Sequence, residues 1–168
     1  MIHEEEETQI KDISEEYFDS FYNCLDSVAR ERLYLALVRA PPLEETRKFL
    51  SSGLDEGVIR KISVKQGNVI GWCDISPGNN EGFTHSGRLA MGVIKKYRGR
   101  GIGKRLLINA IAEVKKKGIE RIELEVYSSN IPALTLYEKH GFVREGVKVK
   151  ARKLDGVYED IIEMALIL

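Results

Sequence analysis

Between Lys95 and Leu107 the chain reads KKYRGRGIGKRLL, with glycines at positions 99, 101 and 103. Three glycines at alternate positions weaken any regular element, so the backbone must turn here. An apolar run, HSGRLAMGVI, precedes the loop, and Leu106, Leu107, Ala110, Ile111 and Val114 follow it at helical spacing. The spacing predicts a strand, a glycine loop and a helix from about Gly103 to Lys117, with Gly118 as its stop. Six basic residues fall within the eleven positions from Lys95 to Arg105. A helix N-terminus attracts anions through its unpaired amides and its dipole, so the loop is read as an anion cradle.

Two familiar phosphate loops do not fit. A P-loop ending at Gly103-Lys104 would need glycine at Arg98 and a hydroxyl at Arg105. The dinucleotide pattern starting at Gly99 would need glycine at Lys104. Two other readings stay open: a tight turn with a solvated basic face, and a nucleic-acid patch. Against the patch, only Tyr97 is at hand for stacking, and 26 Lys and Arg balance 26 Asp and Glu over the chain. No nucleic-acid partner is expected.

The remaining segments alternate in character. A short strand is expected around Thr8 to Ile10. It is followed by an amphipathic helix capped by Asp12 or Ser14, with Tyr17, Phe18, Phe21, Tyr22 and Leu25 inward. After the apolar run LYLALV, Pro42 opens a second helix and Gly53 stands just past its end. Val58 to Ile75 reads as a hairpin turning at KQGN. Beyond the glycine loop come the strand IERIELEVY, a short helix closed by Gly141, and a final hairpin turning at Asp155-Gly156. The order is strand, two helices, three strands, helix, strand, helix, two strands. It predicts one mixed α/β domain over residues 1–168, with about seven strands and about four helices.

Composition excludes several classes. With 168 residues, 43% of them hydrophobic, the chain can bury a core without staples. Cys24 and Cys73 lack metal-ligand spacing and read as reduced, buried thiols. His3, His85 and His140 form no ligand pattern, so no metal is expected. The start MIHEEEETQ is acidic, unlike a signal peptide, and no apolar run reaches spanning length. A cytoplasmic protein with no membrane partner is the expectation.

Two segments together resemble a known family. Val93 to Gly103 follows the arrangement V-x-x-x-x-R-x-x-G-x-G, and Asn130 to Phe142 follows N-x-x-A-x-x-L-Y-x-x-x-G-F. Both are similar to the motifs of the GNAT superfamily of N-acetyltransferases. SVARER, APPLEETRKF, VIGWCDI and the C-terminal hairpin extend the likeness to the branch acting on amino acids and other small amines.

The resemblance implies a mostly antiparallel mixed sheet, splayed where acetyl-CoA, the co-substrate, lies. It puts the pantetheine arm and thioester carbonyl along Met91, Gly92 and Val93, with Gly92 permitting a bulge that parts the strands. It puts the diphosphate on main-chain amides from Arg98 through Gly99, Arg100, Gly101, Ile102 and Gly103 to Lys104. By their charge alone, the side chains of Arg98, Arg100, Lys104 and Arg105 read as mobile cations around any anion held there. Asn130 would lie beside the pantetheine, as well as being an ordinary helix cap. Tyr137 would be the general acid that protonates the departing thiolate, a task suited to a phenol with a pKa of about 10.

The base is less defined, because Gly87 stands where the histone-acetylating branch has a glutamate. His85, Glu81 and Glu125 are the candidates, His85 because an imidazole ordinarily titrates nearest neutrality. Glu123 and Glu125 share one face of a strand, where either can attract a cationic amine or simply meet solvent. The expected acceptor is a small primary amine such as an amino acid. The alternatives are a polypeptide N-terminus, including a ribosomal protein's, a polyamine, or a CoA- or nucleic-acid-binding module without turnover. Homodimers are common in this family.

Overall fold

The computed structural model describes residues 8–168, so His3 and the acidic start lie outside the described residues. Its strands are β1 (Gln9–Asp12), β2 (Ile59–Lys65), β3 (Asn68–Pro77), β4 (Ser86–Val93), β5 (Arg121–Tyr127), β6 (Val143–Leu154) and β7 (Val157–Ile167). The helices are α1 (Phe18–Ala29), α2 (Leu43–Asp55), α3 (Ile102–Lys116) and α4 (Ile131–Lys139). All seven strands join one sheet in the order β1-β2-β3-β4-β5-β7-β6. Every neighbouring pair is antiparallel except β4 and β5. The two hairpins turn at Gln66-Gly67 and Asp155-Gly156, each with both central residues at positive φ, the geometry that matches strand twist.

Apolar side chains cover the sheet on both faces. Leu106, Leu107, Ala110 and Val114 of α3 pack with Ile75, Leu89, Ile122, Leu124 and Met164 in one core. Phe18, Phe21, Cys24 and Val28 of α1, with Leu50 of α2, pack on Ile62, Val64, Val69 and Trp72 in the other. Phe21 meets Trp72 edge to face, with ring centroids 5.7 Å apart.

Two local expectations are corrected. Ser14 stands at the cap position of the 3-10 turn Glu15–Tyr17 ahead of α1, but its hydroxyl donates to Glu16 and makes no capping bond, and Asp12 belongs to β1. Gly53 is inside α2 and not beyond it; the left-handed residue after that helix is Gly57, at φ 74°. Gly53 suits the interior because a Cβ there would stand 3.1 Å from Nη1 of Arg60.

The feature that makes the site is a short ladder. β4 and β5 pair only at Ser86 with Arg121, Gly87 with Ile122 and Arg88 with Glu123. β4 then continues to Val93 and β5 to Tyr127 without pairing with each other, so the sheet is splayed as expected. The expected device is absent, however. The β3–β4 register runs unbroken from Gly71–Val93 to Pro77–Gly87, with no bulge at Gly92. Gly92 is glycine because a Cβ there would meet Cη2 of Trp72 at 2.4 Å. Gly87 is buried, and a Cβ there would stand 2.7 Å from Cγ2 of Ile75, which leaves no room for a side chain.

Candidate active site

A cavity of 610 Å³ opens where β4 and β5 part. Met91, Gly92 and Val93 line it from β4, while Arg98, Gly99, Gly101, Ile102, Gly103 and Lys104 line it from the loop and the start of α3. Glu125 borders it from β5, and Asn130 and Tyr137 from the far side. Arg100 is exposed and outside the lining, with its guanidinium 5.9 Å from the Tyr97 ring centroid.

The loop has the geometry of an anion cradle. Gly99 and Gly101 are left-handed at φ 74° and 75°. The first amide bonded back within the α3 turn is that of Arg105, which donates to the Gly101 carbonyl at 3.0 Å. The amides of Ile102, Gly103 and Lys104 precede it and have no carbonyl partner within the helix, and all three residues line the cavity. The basic side chains are less available than the sequence implied. Arg105 donates to Thr8 through both terminal nitrogens, at 2.6 and 2.7 Å. Arg98 donates from Nε to the Val93 carbonyl at 2.8 Å and from its two terminal nitrogens to the carboxylate of Glu31. Neither is a mobile cation.

Tyr137 projects from α4 into the apolar core, with its ring 5.5 Å from that of Phe142. Burial, with the neighbouring Cys73 thiol, pushes its phenol above the ordinary value, so it holds its proton throughout the neutral range. Asn130 caps α4 by accepting from the Ala133 amide at 3.3 Å, and it lines the cavity as well, so both of its expected positions coincide.

The base candidates separate. His85 is exposed just before β4, and its carbonyl accepts from the amides of Glu120 and Arg121. Met91 lies six residues further along the chain, roughly 20 Å at the usual rise. His85 is not brought to the cavity, and neither is Glu81, which is exposed in the Glu81–Phe83 turn. Glu125 is brought there, but paired. Lys148 donates to it at 2.6 Å and Arg88 at 3.0 Å. The Lys148 hydrogen bond, opposed by burial and aided by Arg88, holds the Glu125 carboxyl below its ordinary value. Arg88 and Glu125 also border a second, polar cavity of 270 Å³ with Lys148 and Glu163.

The rest of the wall has no motif. Val28, Tyr34, Leu35 and Ala36 come from the end of α1 and the irregular segment after it, and Tyr127 and Ile161 from β5 and β7. Tyr34, Leu35 and Ala36 fall in a segment without periodicity, so the sequence does not say which of its side chains meet the site.

A family model described as the acetyltransferase (GNAT) family matches residues 10–142. The chain belongs to the GNAT family. A GNAT-family acetyltransferase from Streptococcus pneumoniae is 26% identical with a TM-score of 0.90, covering 96% of this chain and 100% of that one. A GNAT phosphinothricin acetyltransferase from Sinorhizobium meliloti, solved with acetyl-CoA, shares the fold at TM-score 0.89 and 18% identity, over 96% and 88% of the two chains. Among curated relatives, an L-amino acid N-acetyltransferase of Escherichia coli is 28% identical over 110 residues, 65% of this chain and 68% of that protein. The N-alpha-acetyltransferase MAK3 of Arabidopsis thaliana is 47% identical over 62 residues, which span 36% of this chain but only 33% of the relative. Acetyl-CoA is the family's co-substrate.

Proposed function

We propose that this GNAT chain transfers acetyl from acetyl-CoA directly, with no acetyl-enzyme, to the primary amine of a small molecule such as an amino acid, in the cytoplasm. One observation carries the reading: a single cavity joins the open N-terminus of α3, the unpaired edge of β4 and the protonated phenol of Tyr137. A ligand with an anionic diphosphate, a peptide-like arm and a reactive thioester fits those three features in that order. The amides of the loop and of Ile102 to Lys104 hold the diphosphate. The β4 edge pairs with the pantetheine, and the Met91 N–H donates to the thioester carbonyl as it becomes an oxyanion.

The acceptor enters as an ammonium ion, which the ionised Glu125 attracts, and loses a proton to water. Its nitrogen then attacks the carbonyl carbon, the carbon–sulfur bond breaks, and Tyr137 gives its proton to the leaving sulfur. The proton left on nitrogen passes to solvent, which restores the phenol. The cluster of Arg88, Glu125 and Lys148 supports an amino acid acceptor, because it offers a carboxylate to the ammonium and cations to the α-carboxylate.

Thiol release from acetyl-CoA against a panel of amino acids, their amides, polyamines and short peptides tests this. Saturable turnover with amino acids, a preference for the acid over its amide, and loss of that preference in Arg88→Ala are expected. Equal turnover of acid and amide overturns the acceptor assignment. Turnover with peptides alone favours the second reading, a polypeptide N-terminus, which the exposed Leu33 and Leu37 beside the cavity support. CoA binding without turnover of any amine, or duplex binding without CoA affinity, overturns the enzyme reading.

A further inference from the structure

We infer that Glu31 is a positioning residue for acetyl-CoA, acting through Arg98 on the shape of the glycine loop. The inference rests on the reading of that loop as the diphosphate site. Arg98 stands between the end of β4 and the first left-handed glycine. All three of its donor nitrogens are used within the protein: Nε on the Val93 carbonyl at 2.8 Å, Nη1 on Glu31 Oε1 at 2.9 Å and Nη2 on Glu31 Oε2. The Tyr34 ring lies over the guanidinium, its centroid 4.8 Å away. The pair is mostly sheltered, with the Glu31 side chain 17% and that of Arg98 30% exposed. A two-pronged contact of this kind fixes orientation as well as distance.

The loop beyond Arg98 has little else to define it. A Cβ at Gly99 or Gly101 would find nothing within 4 Å, so no packing holds either residue. Its path depends on its two ends, the first turn of α3 downstream and the clamped Arg98 upstream. Glu31 belongs to the segment after α1 that also supplies Tyr34, Leu35 and Ala36 to the cavity wall. One carboxylate thereby ties the cofactor loop to a segment bordering the same cavity, 67 residues away in sequence.

Charge and position predict opposite signs. A carboxylate near a diphosphate repels it, and its removal would free Arg98 as a phosphate ligand, so Glu31→Gln should tighten CoA binding if only charge matters. A positioning role predicts about tenfold weaker binding. The experiment is calorimetric titration of CoA and of pantetheine into wild type, Glu31→Gln, Arg98→Lys and the double variant, with melting curves to confirm folding. Each single variant should lose about tenfold for CoA, the double variant no more than either single, and the affinity for pantetheine should not change. Acetyl-CoA KM should rise about tenfold, with kcat within twofold of wild type. Unchanged or tighter CoA binding in Glu31→Gln, or losses that multiply in the double variant, overturns the inference. Wild type that binds CoA no better than pantetheine overturns the loop assignment itself.

Discussion

At the scale of single residues, the burial of Tyr137 suits the role proposed for it. The apolar surroundings raise its pKa and keep the proton on oxygen, as a general acid to a departing thiolate requires. Tyr137→Phe removes only the hydroxyl that carries that proton, so kcat should fall by about 10² to 10⁴ while the CoA dissociation constant is preserved. Steady-state rates with calorimetry check it, and wild-type kcat would move the acid elsewhere. Gly92 shows a steric requirement instead. Gly92→Ala would drive a methyl into the Trp72 ring and should cost about 1–3 kcal/mol by chemical denaturation, with Trp72 fluorescence reporting the displaced indole.

At the scale of elements, the loop and α3 act together. Gly101 has the left-handed conformation of a residue ahead of a helix, which a β-branched side chain adopts only under strain. Gly101→Val should abolish measurable CoA binding while the melting temperature shifts by only a few degrees. An unchanged dissociation constant would remove the diphosphate from this loop. Such elements were legible because alternate glycines and a 3.6-residue stripe are local signals. The turns at Gln66-Gly67 and Asp155-Gly156, the extent of α3 and the placing of Tyr137 followed from neighbours in sequence. What was not legible depends on distant partners. Arg98 read as a free cation because nothing near it announces Glu31, and Gly92 read as a bulge because Trp72 lies on another strand. His85 read as a base candidate because it sits beside the right strand, whose length places it at the wrong end. Leu33 to Val38 read as an apolar run, yet it is an irregular segment whose side chains divide between cavity and solvent.

At the scale of the molecule, the buried thiols set the alkaline limit of stability. Burial pushes the Cys24 thiol up to about 12, and burial with Asp74 nearby pushes Cys73 well above its ordinary value. The folded chain keeps these protons after the unfolded chain has lost them. Their contribution is therefore complete below about pH 8.5 and declines as pH rises, by up to about 1.4 kcal/mol per pH unit for each group. The melting temperature should fall steadily from pH 9 to 11, and a flat profile would show that neither thiol is buried as described.

The three-residue ladder between β4 and β5 also divides the molecule along the chain. Residues up to 118 supply β1 to β4 with α1 to α3, and residues from 119 supply β5, α4, β6 and β7, with no strand crossing over. The two parts share the apolar core beneath α3, and acetyl-CoA would lie in the gap between them. Cut in the turn at Gly118 and made as two polypeptides, the protein should reassemble by burying that shared surface, and acetyl-CoA should drive the reassembly as a third component of the complex.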